Sequence, residues 1–355
     1  MNALNEPAVT VLMPVYNGER FVREAVESIL QQTWTDFEFL IVDDGSTDHT
    51  REIINSYNDA RIRVLDQRAN IGLAKSLNHG LRAARGPLVA RQDADDRSHP
   101  ERLAAQVEFM HAHREVTLLG TQVRVLNKNR RASRRPGWER AVTNTAIRFQ
   151  LLFDNPFIHT SVMFRRDVVW QELDGYDETL PTGEDFDLWS RIAARYTVGN
   201  LPATLVDYRF HNSSVSARYD ETHLERSSSI VAANLRQYLG VDRVPERWPR
   251  LISSLHVDQS ALSDAELREL LDVVETIYKQ FVERYPEERQ NEDVRRVLAA
   301  KISQIACLMA PRKRSSALRA FRRGYRINAT VSHSFAPKFF ALLVLGQWLR
   351  SQLSR

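Results

Sequence analysis

The sequence is poor in several things, and each absence excludes a class of protein. It holds one cysteine in 355 residues, Cys307, so no disulfide can form within the chain and a small disulfide-stapled secreted scaffold is excluded. Cys307 lies among Ile305, Leu308 and Met309 and reads as a buried small apolar residue, not a nucleophile. The stretch from Met1 to Pro7 lacks a basic segment followed by an apolar one, so it does not read as a signal peptide. The expected location is the cytosol or the cytosolic face of a membrane. Long apolar runs are also missing. Phe339 to Leu349 is apolar over 11 residues and contains Gln347, whereas a spanning helix needs roughly 20; it reads as a helix lying in an interface or packed on the body. Acidic residues are absent after Asp293, where 13 of the 49 Lys and Arg fall, leaving 36 basic against 45 acidic residues before it. An acidic body with a basic tail suits an anionic partner, with lipid headgroups and nucleic acid as the two candidates.

What is present is an ordinary folded composition, 43% hydrophobic and 26% charged, long enough for one large domain with an appendage or two modest ones. The first hundred residues alternate short apolar runs with amphipathic stretches. Val9 to Val15, Phe37 to Val42, Arg61 to Leu65 and Leu88 to Gln92 read as strands. Between them, Glu19 to Gln31, a stretch ending near Tyr57, and Gly72 to Ala84 carry helical spacing. That alternation predicts an α/β fold with a mainly parallel sheet between helices, and in such sheets ligands bind beyond the carboxyl ends of the strands. Further on, Val116 to Leu126, Thr160 to Arg165 and Leu201 to Phe210 read as strands, Thr143 to Phe153 and Phe186 to Tyr196 as helices, and Lys128 to Arg135 as a basic loop. The expected domain edge lies near Ser216 to Thr222, giving a catalytic domain over 1–220 and a mainly helical region over 221–355.

Four short motifs carry chemistry. Asp93-Ala94-Asp95 follows an apolar strand; two carboxylates one residue apart can hold a hard divalent cation, which would neutralise charge on a leaving diphosphate. A solvated turn, or a cap by Ser98, competes with that. Asp43-Asp44-Gly45-Ser46-Thr47-Asp48 ends another strand. An aspartate there can accept from the imide of uracil or thymine, Gly45 permits a tight turn, and Ser46, Thr47 or Asp48 suits a helix cap. Pro14-Val15-Tyr16-Asn17-Gly18 follows the first strand, with backbone groups to read a base and Tyr16 to stack on it; an ordinary turn is the alternative. Gly183-Glu184-Asp185-Phe186-Asp187 opens a helix, whose dipole favours a charged carboxylate able to act as a general base; capping competes there too.

In this order the motifs resemble glycosyltransferase family 2. The matching residues are VTVLMPVYNGERFVREAVESILQQTWTDFEFLIVDDGSTDHT, NIGLAKSLNHGLRAARGPLVARQDADD and GEDFDLWSRI, over roughly Val9 to Val215. The resemblance implies a GT-A fold and inverting transfer from a nucleotide-sugar, with UDP as carrier and dTDP or GDP as alternatives. It implies that Pro14, Val15 and Tyr16 line the nucleotide pocket and that Asp44 contacts the base. Asp93, Ala94 and Asp95 become the family's Asp-x-Asp, with Asp95 nearest a Mn²⁺ or Mg²⁺ ion. Asp185 becomes the base that deprotonates the acceptor, supported by Glu184. His211 resembles the family's C-terminal histidine, which reaches the metal or diphosphate; a surface-loop position is the other possibility. His159, in NPFIHTSVM, is expected in the acceptor cleft or core.

The chain departs from the processive synthases of that family. It has neither a Gln-x-x-Arg-Trp block nor multiple spans, so one sugar per encounter is expected. The acceptor implied is a glycan or lipid-linked glycan of cell-surface polysaccharide or lipopolysaccharide synthesis. Arg312, Lys313, Arg314, Arg319, Arg322, Arg323 and Arg326, interleaved with Phe321 and Tyr325, fit peripheral adhesion to anionic lipid, with a solvated helix packed on the body as the competitor. A nucleic-acid partner is not expected, because aromatics are sparse there and no nucleic-acid motif occurs. The rival functions are a nucleotidyltransferase, which would show a Gly-rich phosphate loop in place of Pro-Val-Tyr-Asn-Gly, and an inactive nucleotide-binding protein.

Overall fold

The structure is a computed structural model that describes residues 6–126, 132–133, 140–209, 221–257, 262–312 and 314–353. It forms two compact units, Met1–Arg134 with Phe157–Ala217, and Arg135–Pro156 with Arg218–Arg355.

The first unit opens with β1 (Val9–Val15), α1 (Val22–Leu30), β2 (Phe37–Asp43), α2 (Thr50–Asn55), β3 (Ile62–Asp66), α3 (Leu73–Ala83) and β4 (Leu88–Arg91). The four strands are parallel, in the order β3-β2-β1-β4. Every residue of β1 and β2 is buried, as the continuous apolar runs require of strands covered on both faces. Glu38 is one of two carboxylates among them, with Asp43; it accepts from Thr10 Oγ1 at 2.7 Å and from the Arg85 N–H at 2.6 Å, which offsets its desolvation. Past β4 the sheet turns mixed. β8 (Met163–Arg165) runs antiparallel to β4 and to β6 (Val116–Leu126). β9 (Thr197–Arg209) is parallel to β6, while β5 (Arg97–Ser98) and β7 (Ala132–Ser133) pair antiparallel with β9 and β6. Among the described residues these nine strands make one sheet.

Helices α4 (Arg102–Ala112) and α6 (Glu184–Arg195) complete this unit. The expected helix at Phe186 begins two residues earlier, which brings the acidic pair into its first turn. The expected strand over Thr160 to Arg165 is instead a 3₁₀ turn, His159–Ser161, followed by the short β8. Ser98 does not cap α4: its hydroxyl donates to Gln92 Oε1 at 2.7 Å. Nor do Ser46 or Thr47 cap α2, whose N-cap position is His49. Asp48 does serve that end, accepting from the Thr50 N–H at 3.0 Å.

The second unit contains α5 (Asn144–Gln150), α7 (Glu221–Leu239), α8 (Arg247–Val257), α9 (Asp264–Arg284), α10 (Glu292–Met309), α11 (Arg314–Ile327) and α12 (Ala329–Leu353). The expected domain edge near Ser216 to Thr222 falls largely outside the described residues. The packing adds an insertion, because α5 joins the C-terminal helices. Phe149 sits 4.9 Å from Phe281, ring to ring, and Asn234 Nδ2 donates to the Leu151 carbonyl at 2.9 Å. The buried Lys301 ammonium meets Asp154 at 2.7 Å, and Asp293 accepts from the Val142 and Thr143 amides at 2.8 and 2.9 Å. Cys307 is buried, and that burial pushes its thiol up to about 11, in keeping with a packing role. The apolar stretch from Phe339 is the later part of α12. There Phe339 stacks on Phe321 at 4.1 Å, while Phe340 is 54% exposed. No described helix is long and apolar enough to cross a membrane.

Candidate active site

Register aligns the carboxyl ends of the parallel strands. Val15 pairs with Asp43 and Leu12 with Arg91, so the loops after β1, β2 and β4 leave one edge of the sheet together. The first two loops are laced by hydrogen bonds. Asn17 N–H donates to Ser46 Oγ, Thr47 N–H to Asn17 Oδ1, Gly18 N–H to Thr50 Oγ1 and His49 N–H to Glu19 Oε2, all at 2.8 to 3.0 Å. Gly18 brings the first loop to the third: a Cβ there would stand 2.8 Å from Val15 Cγ2 and 3.8 Å from Ala94 Cβ. Pro14 and Val15 end β1, and Val15 accepts from the Asp44 N–H at 2.8 Å. Tyr16, just beyond, is 49% exposed, a flat apolar face available for stacking.

Asp44 is buried, and its carboxylate accepts from the Ile71 and Gly72 amides at 2.9 and 3.1 Å. It therefore anchors the loop before α3, with Gly45 turning at φ +75 against the Ala69 backbone. Each oxygen already holds one donor, and a carboxylate oxygen has room for a second.

The turn after β4 carries Asp93, Ala94, Asp95 and Asp96, and two buried arginines organise it. Arg102 is fully buried at the start of α4 and donates to Ser98 Oγ, Gln92 Oε1, Gln106 Oε1 and the carbonyls of Arg91 and Val162. Burial pushes it down to about 9, with the Arg91 charge adding. Arg91, also buried, places Nη2 on Asp93 Oδ1 at 2.7 Å. Arg209, the last residue of β9, fixes the turn from the other side. Its amide donates to Asp96 Oδ1 at 2.6 Å, its Nε to the Asp95 carbonyl at 2.8 Å and its Nη2 to Glu24 at 2.9 Å, and its guanidinium lies 4.5 Å over Phe21.

Charge in this turn is not balanced. Burial pushes Asp93 and Asp96 above the usual carboxylate range, Asp96 well above it, and Asp95 adds to both shifts. Hard oxygen donors that repel one another suit a divalent cation such as Mg²⁺ or Mn²⁺. Asp93 and Asp95 would be the residues to hold such an ion, and it would supply charge neutralisation for a bound diphosphate. Among the described residues no group of three or more His, Cys, Asp and Glu side chains is arranged to hold a metal ion. His211 lies outside the described residues.

The acidic pair opens α6. Asp185 is half-buried and accepts from the Phe186 N–H at 2.7 Å, while Glu184 is buried. Burial first, and then the Asp185 charge, push Glu184 up to about 7; Arg91 and Asp93 also act on it. The pair and the Asp93 turn thus share one electrostatic environment. Between them stand His159 and two groups that the sequence motifs do not identify, Arg91 and Tyr176. Arg91 Nε donates to His159 Nε2 at 3.2 Å, and Tyr176 Oη lies 3.1 Å from the same nitrogen. Both rings pack edge-on against the buried Trp189 of α6. Burial drives His159 well below its ordinary value and Tyr176 well above, so both are neutral. His159 is thus half-buried, between Arg91 and Trp189. The signal for Arg91 was its place in an otherwise apolar strand, Leu88-Val89-Ala90-Arg91.

A family model described as Glycosyl transferase family 2 matches residues 10–173. The O-antigen biosynthesis glycosyltransferase WbnJ of Escherichia coli is 31% identical over 211 residues, covering 58% of this chain and 81% of that protein. The amylovoran biosynthesis glycosyltransferase AmsE of Erwinia amylovora is 32% identical over 216 residues, covering 59% and 79%. Among solved structures, S. aureus TarS 1-349 in complex with UDP-GlcNAc superposes with a TM-score of 0.55 at 19% identity, over 93% of this chain and 91% of that one. The mannosyltransferase PcManGT from Pyrobaculum calidifontis, in complex with GDP-Man and Mn²⁺, does so with 0.52 at 18%, over 97% and 88%. Such identities establish the fold, and the family model with the two relatives establishes the family. The chain belongs to glycosyltransferase family 2 and is a glycosyltransferase built on a GT-A fold.

Proposed function

We propose that the enzyme transfers one sugar, with inversion, from a UDP-sugar to a glycan or lipid-linked glycan in cell-surface polysaccharide synthesis. Pro14, Val15 and Tyr16 receive the base, and Asp44 contacts it while holding the loop at Ile71. Asp93 and Asp95 hold a divalent cation, which when bound neutralises the leaving diphosphate. Asp185 takes the proton of the acceptor hydroxyl as that oxygen forms its bond to the anomeric carbon and the bond to the diphosphate breaks. One base suffices for this displacement, whereas retention by double displacement needs a nucleophile as well. The observation that carries the proposal is the meeting of the two acidic elements. Arg91, which holds Asp93 Oδ1 at 2.7 Å, also donates to His159 Nε2 at 3.2 Å, and the His159 ring packs at 5.9 Å on Trp189 of the helix that Glu184 and Asp185 open. The names of WbnJ and AmsE, from O-antigen and amylovoran biosynthesis, support the substrate class.

The second unit supplies the proposed membrane contact. Arg319, Arg322, Tyr325 and Arg326 of α11 and Lys338 and Phe340 of α12 are exposed, a cationic face with two aromatic rings that suits an anionic lipid surface. We place the enzyme peripherally at the cytosolic face of the membrane, within reach of a lipid-linked acceptor. The test of function is donor hydrolysis across UDP-, dTDP- and GDP-sugars. Turnover of a UDP-sugar is expected, and turnover confined to another carrier would overturn the choice of UDP.

A further inference from the structure

Three observations single out His159. It lies where the donor-side turn and the acceptor-side helix come together. Its Nε2 meets two donors, Arg91 Nε at 3.2 Å and Tyr176 Oη at 3.1 Å. A guanidinium can only donate, so Nε2 is the acceptor and the proton of the neutral ring sits on Nδ1. With Nε2 unprotonated, the Tyr176 hydroxyl at 3.1 Å can meet it only as a donor, sharing the same lone pair.

Each end of this link is held firmly. At one end Arg91 spends Nη2 on Asp93 Oδ1 at 2.7 Å and Nη1 on the Gln92 carbonyl. At the other, the backbone of Tyr176 is clasped by Asn78 of α3. Tyr176 N–H donates to Asn78 Oδ1 at 2.9 Å, and Asn78 Nδ2 donates to the Tyr176 carbonyl at 2.8 Å. The same loop is tied to α6 by Arg191, whose Nη1 and Nη2 donate to the Leu173 and Gly175 carbonyls at 2.7 and 2.8 Å while its Nε bonds Asp187 at 2.8 Å. Hydrogen bonds therefore run from Asp93 through Arg91 and His159 to Tyr176, and the step on to α6 is made by the backbone of the Tyr176 loop, held by Arg191, and by the Tyr176 ring against Trp189.

We infer that His159 is a positioning residue: the single lone pair of its neutral Nε2, shared by the Arg91 guanidinium and the Tyr176 hydroxyl, fixes Arg91 on Asp93 and the Tyr176 loop beside α6, and so sets the distance between the donor carboxylate and the acceptor base. It neither ligates the cation nor takes a proton from substrate. Displacement reactions are sensitive to such spacing, since a misplacement of about 1 Å can cost on the order of a hundredfold in rate. Loss of the acceptor should lower kcat and leave nucleotide affinity alone. The inference rests on the proposed roles of Asp93 and Asp185 for its consequence, and on geometry alone for the link.

The test uses the full chain as wild type, Tyr176→Phe, His159→Phe, His159→Gln and the double variant His159→Phe/Tyr176→Phe. Turnover is measured on whichever sugar nucleotide the wild type hydrolyses, UDP affinity by calorimetry, and the imidazole nitrogens by ¹⁵N NMR. Tyr176→Phe and His159→Phe should each lower kcat about tenfold or more, with UDP affinity within twofold of wild type. The double variant should lose little beyond either single one, as members of one network do. His159→Gln, which keeps an acceptor at similar reach, should recover most of the rate. Additive losses, an unchanged kcat in Tyr176→Phe, or a Gln variant as slow as the Phe variant would overturn the inference. If His159→Phe fails to fold, Tyr176→Phe, which deletes one hydroxyl, decides alone. A wild type that hydrolyses no sugar nucleotide counts against the proposed function; the spectrum then judges the link by itself. A protonated Nδ1 with an Nε2 resonance that moves in Tyr176→Phe supports it, and a protonated Nε2 refutes it.

Discussion

Glu184 and Asp185 stand side by side in the first turn of α6, yet burial divides them. Glu184 is 8% exposed and is pushed up to about 7, whereas Asp185 keeps a half-buried place and a hydrogen bond from the Phe186 amide. A helix start favours negative charge, but two adjacent carboxylates cannot both be ionised without cost. Glu184 is therefore the carboxyl of the pair that exchanges its proton near neutrality.

That division has a consequence for stability. Folded Glu184 holds its proton up to about pH 7, while an unfolded glutamate releases it near 4.5. Between those values the folded state binds more protons, so stability falls as pH rises through the window. Glutamine cannot ionise and escapes the loss. Glu184→Gln should raise the unfolding free energy at pH 8 by up to roughly 3 kcal/mol and leave it unchanged at pH 4.5 or below. Urea unfolding at the two pH values measures this, and equal effects at both would contradict it.

Asp185→Asn removes the proposed base without changing shape. Transfer to an acceptor should fall by roughly 10²- to 10⁴-fold, while UDP binding, measured by calorimetry, stays within twofold of wild type. Unchanged transfer would take Asp185 out of its role.

Arg102 tests what holds the turn after β4. Its guanidinium donates to five acceptors in the interior. Arg102→Met would leave them without it, at a cost of about 1–3 kcal/mol for each acceptor that stays unsatisfied. Denaturant unfolding reads this directly, and a loss below about 1 kcal/mol would mean that the acceptors find other partners.

Removing everything after Pro311 is a poor test of membrane contact, because α11 and α12 are part of a packed core. Phe321 stacks on Phe339, and Ser303 of α10 meets Ser332 of α12 at 3.0 Å. Substituting the exposed Arg319, Arg322 and Arg326 by Gln leaves those contacts in place. At about 1 kcal/mol per charge, binding to phosphatidylglycerol vesicles should weaken by roughly a hundredfold. Equal co-sedimentation of wild type and triple variant would remove the membrane from the account.

The parallel half of the sheet was legible because β1 and β2 are mostly apolar runs, broken by Thr10 and Glu38, and each is followed by a loop that contains Gly with Asn or Asp. The mixed half was legible in part: β6 and most of β9 read as strands, while their pairing and the short strands did not. β8 is three residues long and β5 is two, too short to leave a period. The insertion that carries α5 was hidden for a different reason: its partners Phe281, Asp293 and Lys301 lie more than a hundred residues onward, and only packing reveals them. Arg91 and Arg102 escaped notice because arginine is usually exposed, whereas here both are buried under hydrogen bonds to the site. His159 was visible as a residue near the cleft. Its partners Arg91 and Tyr176 come from separate elements, so its role depends on a meeting in space that no local spacing encodes.

The central claim is that the acidic turn after β4 binds the diphosphate of a sugar nucleotide through a divalent ion. Calorimetric titration of UDP into wild type and Asp95→Ala, each with Mn²⁺ and with chelator, tests it most directly. Binding by the wild type that weakens at least tenfold, about 1.4 kcal/mol, on either chelation or substitution is the predicted result. Equal affinity in all four titrations would contradict it.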